Sequence, residues 1–175
     1  MNAMEATHMK EISYTEAMAR TAFKLSHGGA FLSVGGLTPN TMTIGWGAIG
    51  FFWNRPVLLA VVRPSRHTYG LLKASGTFTV SVPTGRDMKQ ALAFAGTASG
   101  RDVDKFSGHG ITAAPAQKVD APIVAECGLH FECRVRLAQD MTPDLMDPNV
   151  LKTAYPQGDL HTMFFGEILA CYERD

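Results

Sequence analysis

The sequence predicts a mainly β, mainly antiparallel barrel with short helices set between its strands. Two observations carry this. Six short runs rich in β-branched and aromatic residues recur along the 175 residues, each closed by Gly or Pro. The helical stretches between them do not fall into the regular strand–helix alternation of a doubly wound parallel sheet. A chain of this length with 46% hydrophobic residues buries a substantial core without disulfide or metal staples.

Residues 1–10 are expected to form a flexible N-terminal segment, and 11–175 one domain. Ser13 to Glu16 reads as a capping box that opens an amphipathic helix of about three turns, with Tyr14, Met18, Ala22 and Leu25 on its apolar side. His27, Gly28 and Gly29 end it. Strands are expected at 30–35, 41–48, 56–62, 77–82, 127–137 and 162–172. Helices are expected at 66–74 and 86–95, with a turn or two at 100–106. The segment 138–161 contains Pro143, Pro148 and Pro156 and little periodicity, so it reads as a surface excursion before the last strand.

Basic and acidic side chains number 16 each, the net charge is zero, and no long basic tract occurs, which argues against nucleic acid as the main partner. The longest aliphatic run, 57–62, is far short of the roughly 20 residues that span a bilayer. We expect a protein that does not engage membranes. Three cysteines, Cys127, Cys133 and Cys171, cannot all pair within one chain, and a reducing cytoplasm is the simplest setting. In CGLHFEC the period-two pattern puts Cys127, Leu129, Phe131, Cys133, Val135 and Leu137 on one face and His130, Glu132, Arg134 and Arg136 on the other. A strand points the two thiols away from the histidine, so no metal site is expected.

The segment RPSRHTYGLLKASG, 63–76, reads as an anion-binding helix start behind the apolar run PVLLAVV. Ser65 is the expected N-cap, Thr68 adds a hydroxyl, Arg63 and Arg66 flank them, and Gly76 stops the helix. An ordinary capped helix with solvated arginines accounts for these residues equally well. In NTMTIGWG, 40–47, Gly45 and Gly47 leave one face of a strand nearly bare, either for a flat ligand or for a tightly packed barrel corner. In GTASGRDVDKF, 96–106, Ser99 and Asp102 form a second cap-like start, with Arg101 and Lys105 projecting from it. GHGITA, 108–113, matches the dinucleotide fingerprint weakly, since Pro115 obstructs the helix it needs. No nucleophile elbow, Walker A sequence or zinc motif occurs, so no side chain is assigned as catalytic. The chemistry is expected from a cofactor.

Together, NTMTIGWG, PVLLAVVRPSRHTYGLLKASGTFTVSVP, GTASGRDVDKF, ECGLHFECRV and HTMFFGEIL resemble the flavin reductase-like family of FMN-binding split barrels, particularly its flavoredoxin-type members. The resemblance implies a six-stranded antiparallel Greek-key split β-barrel with short flanking helices, a homodimer, and FMN near the subunit interface. By matching positions, Asn40, Met42, Thr43, Ile44, Gly45 and Trp46 are implied to line the isoalloxazine and ribityl chain, chiefly through backbone groups. Arg63, Ser65 and Thr68 are implied to hold the phosphate, with Ser99, Gly100, Arg101 and Lys105 closing the site around it. His161 occupies the place of a histidine that faces the flavin, where a nicotinamide substrate would bind. The activity implied is that of an NAD(P)H-dependent flavin reductase, with hydride passing to FMN N5 and electrons onward. The alternatives are an FMN electron carrier that serves a redox protein partner without its own nicotinamide site, and a noncatalytic split-barrel module binding haem or free flavin.

Overall fold

The computed structural model describes residues 9–174. Residues 1–8 of the expected flexible segment lie outside the described residues. At 9–10 the expectation is corrected, because Met9–Glu11 forms a strand, β1, paired with the last strand of the chain.

Helix α1, Tyr14–Ser26, starts as the sequence predicts. The Ser13 hydroxyl accepts from the Thr15 N–H at 3.2 Å, and the Glu16 carboxylate accepts from the Ser13 N–H at 3.1 Å. Its buried stripe runs through Ala17 and Thr21, whereas Ala22 is exposed. Thr21 tolerates burial because its hydroxyl donates to the Ala17 carbonyl at 2.9 Å.

The strands that follow are β2 (Ala30–Val34), β3 (Asn40–Ile44), β4 (Gly47–Phe52), β5 (Arg55–Val62), β6 (Thr77–Val82), β7 (Ala113–Ala114), β8 (Ile123–Val124), β9 (Leu129–Asp140) and β10 (Thr162–Arg174). Helices α2 (His67–Ser75), α3 (Lys89–Thr97) and α4 (Pro148–Ala154) lie between them. The main sheet is antiparallel throughout, in the order β3-β2-β6-β9-β10-β5-β4, with β1 added on β10. β7 and β8 form a separate small ladder.

The two strands at opposite ends of this path, β3 and β4, are neighbours in sequence, joined only by Gly45 and Trp46. Three Cα steps from Ile44 to Gly47 reach at most about 11 Å. The sheet therefore rolls until its two edges meet, and it is split there. The single strand expected at 41–48 is corrected to two strands on either side of this split. At Gly47 a Cβ would come within 2.6 Å of the Leu59 carbonyl oxygen on the paired strand, so its bare face is taken up by the close approach of β5.

The rolled sheet encloses a core that includes Leu32, Met42, Ile44, Leu58, Val80, Phe131 and Phe164. A second cluster forms where Phe31 packs under α3 against Ala91, Leu92 and Ala95. In β9, Leu129, Phe131 and Cys133 face the main core as expected, but Cys127 precedes the strand and joins the second cluster. The opposite face of β9 is also covered. His130 and Glu132 are fully buried, because residues 117–124 fold back over them. Glu132 accepts from the N–H groups of Gln117, Lys118 and Val119 at 2.6–3.1 Å and from the Tyr172 hydroxyl at 2.8 Å. That full set of donors is what permits a carboxylate in the interior.

Candidate functional site

Helix α2 starts one residue later than expected. Arg66 is its N-cap and gives no side-chain cap bond, and Gly76 closes it in the left-handed conformation at φ +65°. The expectation that Ser65 caps α2 is corrected, since its hydroxyl donates to Asp159 Oδ2 at 2.6 Å. The amide groups at the start of α2 thus keep no side-chain acceptor, and they open into a cleft of about 120 Å³.

The second turn picked out in the sequence forms the other wall. Ser65, Arg66 and Thr68 stand on one side, and Ser99, Gly100, Arg101 and Lys105 on the other. Two cationic turns some thirty residues apart are thereby brought to one place. Among the residues lining the cleft none is acidic. Three cations line it, and two of them converge on one oxygen. Lys105 Nζ donates to the Ala95 carbonyl at 2.8 Å, and Arg66 Nη2 approaches the same oxygen at 3.5 Å. Burial, and secondarily the Arg66 charge, lower the Lys105 pKa to about 8. Burial lowers that of Arg66 as well. Two positive charges sharing one neutral acceptor, beside hydroxyls and a helix start, form a donor set that fits a phosphate.

The remaining predicted residues fall into three groups. Asn40 and Thr68 are joined, the carboxamide donating to the hydroxyl at 2.8 Å, so β3 is tied to the first turn of α2. Met42 and Ile44 point into the core, and Thr43 donates to the Leu92 carbonyl of α3 at 2.6 Å. From these three, a ligand can meet mainly backbone. β3 is a terminal strand, so its outer edge carries N–H and C=O groups with no strand partner. Trp46 stands at the split, about half exposed.

Arg63 does not line the cleft. Its guanidinium donates to the carbonyl of Asp159 at 3.0 Å, approaches those of Gly158 and Ala154 at 3.4 and 3.5 Å, and lies 5.2 Å from the centre of the Tyr155 ring. The excursion starts only after Asp140, not at 138 as expected, because β9 stays paired with β10 to that residue. With Ser65, Arg63 fastens its end to the head of α2. This brings His161 to Trp46, with ring centroids 5.1 Å apart, and leaves Tyr155 edge-on to Trp46 at 6.1 Å. Sequence reasoning missed Arg66 as the inner arginine and Tyr155 altogether. Nothing local marks which of the two flanking arginines turns inward, and nothing local marks Tyr155.

All three cysteines are buried and unpaired, and burial raises their thiol pKa values, that of Cys171 to about 12. Among the described residues, no cluster of three or more His, Cys, Asp or Glu side chains is placed to hold a metal ion. No helix among them is long and apolar enough to cross a membrane.

Residues 24–175 match the family described as flavin reductase like domain. An uncharacterised protein of Archaeoglobus fulgidus is 33% identical over 140 residues, covering 79% of this chain and 68% of that protein. Among solved structures, the flavoredoxin of Desulfovibrio vulgaris (Miyazaki F) is 26% identical with a TM-score of 0.64, covering 82% of this chain and 67% of its own. The NADH:FAD oxidoreductase SgcE6 of Streptomyces globisporus C-1027, in complex with NAD and FAD fragments, is 25% identical with a TM-score of 0.62, covering 85% and 77%.

Proposed function

The chain belongs to the flavin reductase like domain family, and from that premise we propose that it is an FMN-dependent oxidoreductase that takes a hydride from NADH or NADPH and passes the electrons to an acceptor. The observation that carries this is the convergence of Arg66 and Lys105 on the Ala95 carbonyl in a cleft without acidic residues. The phosphate of FMN would relieve their repulsion and accept from Thr68, Ser99 and the first amides of α2.

When bound, the flavin supplies the hydride-accepting N5 and the onward release of electrons. The chain supplies position. The free edge of β3 would hydrogen-bond the heteroatoms of a planar ring through main-chain groups from Asn40 to Gly45. Met42 and Ile44, locked in the core, keep that edge from moving. Trp46 and His161 lie in tilted contact beside it and would form the wall for a second planar ring, the nicotinamide.

A homodimer belongs to the same reading. β4 and its turn to β5 carry Phe51, Phe52 and Trp53, all about half exposed, at an edge of the sheet. Trp53 and Asn54 adopt φ of +52° and +57°, which holds the two-residue turn and its aromatic tip in place. Phe52 and Trp53 contact Phe165 at 5.7 and 6.0 Å, and this apolar surface is proposed to meet its counterpart in a second copy.

The test is the visible spectrum of the purified protein followed by anaerobic addition of NADH and NADPH. Flavin absorbance that bleaches with either nucleotide supports the reductase. Yellow protein reduced only by dithionite or by a redox protein would assign it instead as an electron carrier. A haem-like band, or no flavin uptake, would overturn both.

A further inference from the structure

Tyr155 ends α4, its N–H donating to the Leu151 carbonyl at 3.0 Å, and only 7% of it is exposed. Its hydroxyl lies 2.8 Å from His161 Nδ1 and 3.3 Å from the Met141 sulfur. A phenol has one proton to donate, and an imidazole nitrogen is a far better acceptor than a thioether. The His161 backbone is pinned too, its carbonyl accepting from the Met141 N–H at 3.0 Å.

We propose that Tyr155 is a positioning residue that locks His161 in the Nε2–H tautomer, so that the imidazole beside Trp46 offers a hydrogen-bond donor suited to the carboxamide oxygen of a nicotinamide. The inference rests on the proposed function for its ligand but not for its geometry. Tyr155 OH donates to Nδ1, which leaves the ring proton on Nε2, and no protein group among the described residues engages Nε2. Burial first, and a neighbouring positive charge second, keep the ring neutral. Burial and the Arg63 guanidinium lower its pKa to about 4, outweighing Asp159, which acts in the opposite direction. The neighbouring Asp140 carboxylate is turned to the Thr162 hydroxyl, which donates to it at 2.6 Å. A neutral donor orients a substrate and transfers no proton, which suits hydride transfer.

Two contacts outside the pair keep Tyr155 in place. Arg63 stacks over its ring while bonding the carbonyls on both sides of it in sequence, and Ser65 holds the Asp159 carboxylate. Asp159 itself has φ of +55°, a left-handed conformation in which its carbonyl meets Arg63 and its carboxylate meets Ser65. The excursion is therefore a brace for His161, fastened to the helix whose other side meets the anion cleft.

The experiment is nitrogen NMR of ¹⁵N-histidine-labelled, FMN-loaded protein at pH 7, with steady-state kinetics of Tyr155→Phe, His161→Gln and His161→Leu. The wild type should show His161 as the neutral Nε2–H tautomer, and Tyr155→Phe should show a mixture. In that variant KM for the preferred nucleotide should rise about three- to tenfold, the range a neutral hydrogen bond commands, with FMN affinity unchanged and kcat little altered. Gln at 161 retains a donor and should keep KM lower than Leu does. A charged or Nδ1–H imidazole in the wild type, or a Tyr155→Phe variant with the wild-type tautomer and KM, would overturn the proposal. If neither nucleotide reduces the flavin, the proposed function fails and the nicotinamide assignment with it, while the nitrogen shifts still decide whether Tyr155 sets the tautomer.

Discussion

The Asn40 carboxamide donates to the Thr68 hydroxyl at 2.8 Å, and both side chains are buried. This bond joins the edge strand proposed to carry the flavin ring to the helix proposed to carry its phosphate. The distance between the two halves of the site is thereby fixed before any ligand arrives, which lowers the ordering cost of binding.

Gly100 packs directly against this link. A Cβ there would overlap the Asn40 carboxamide and come within 2.9 Å of the His67 ring. Gly100→Ala should therefore lower both stability, by about 1–3 kcal/mol, and FMN affinity. Chemical denaturation and flavin titration measure the two. Unchanged FMN affinity in the folded variant would show that the Asn40–Thr68 link does not position the ligand.

The parts of this site legible in the sequence were the ones encoded locally. The capping box at Ser13, the stop at Gly76 and the two cationic turns were readable, because caps and turn hydroxyls act within a few residues. The direction of each arginine was not. Arg63 and Arg66 both flank the start of α2, and only the contact with Asp159 and Tyr155, more than ninety residues on, draws the first away. Ser65 was lost as a cap to the same partner. The break at Gly45 and Trp46 was hidden because an alternating pattern runs through it; closure of the sheet, a long-range event, divides the strand. The burial of His130 and Glu132 was not legible, because period-two alternation separates two faces without revealing a loop folded over the second.

Lys105 gives the site a pH dependence. Its pKa of about 8 separates a charged form below from a neutral form above, and the phosphate favours the charged one. FMN affinity should therefore fall as pH rises above about 8, by at most about tenfold per unit. Riboflavin affinity should stay flat, and Lys105→Met should remove the dependence. Fluorescence titrations from pH 7 to 10 measure this, and a parallel fall for riboflavin would remove Lys105 from the phosphate.

His130 makes a separate prediction about stability. It is fully buried, its Nδ1 bonded to Ser81 at 3.0 Å and its Nε2 to the Cys127 carbonyl at 2.9 Å, and burial lowers its pKa to about 4. The unfolded chain takes up this proton near pH 6.5 and the folded chain only near 4, so the contribution of neutral His130 is full above pH 6.5 and lost as pH falls toward 4. The loss should amount to about 3 kcal/mol. Urea unfolding of the wild type and His130→Gln across that window should show a steeper decline in the wild type. Equal slopes would place the acid sensitivity elsewhere.

The central claim is that Arg66, on the inner wall of the cleft, holds the flavin phosphate, while Arg63 serves the excursion. Titrating FMN and riboflavin into the apoproteins of wild type, Arg66→Ala and Arg63→Ala tests it most directly. Arg66→Ala should weaken FMN by about tenfold or more, the scale of a charge-assisted hydrogen bond, and leave riboflavin nearly unchanged. Arg63→Ala should leave the difference between the two flavins intact. Equal losses of FMN and riboflavin in Arg66→Ala, or a selective loss of FMN in Arg63→Ala instead, would contradict the account.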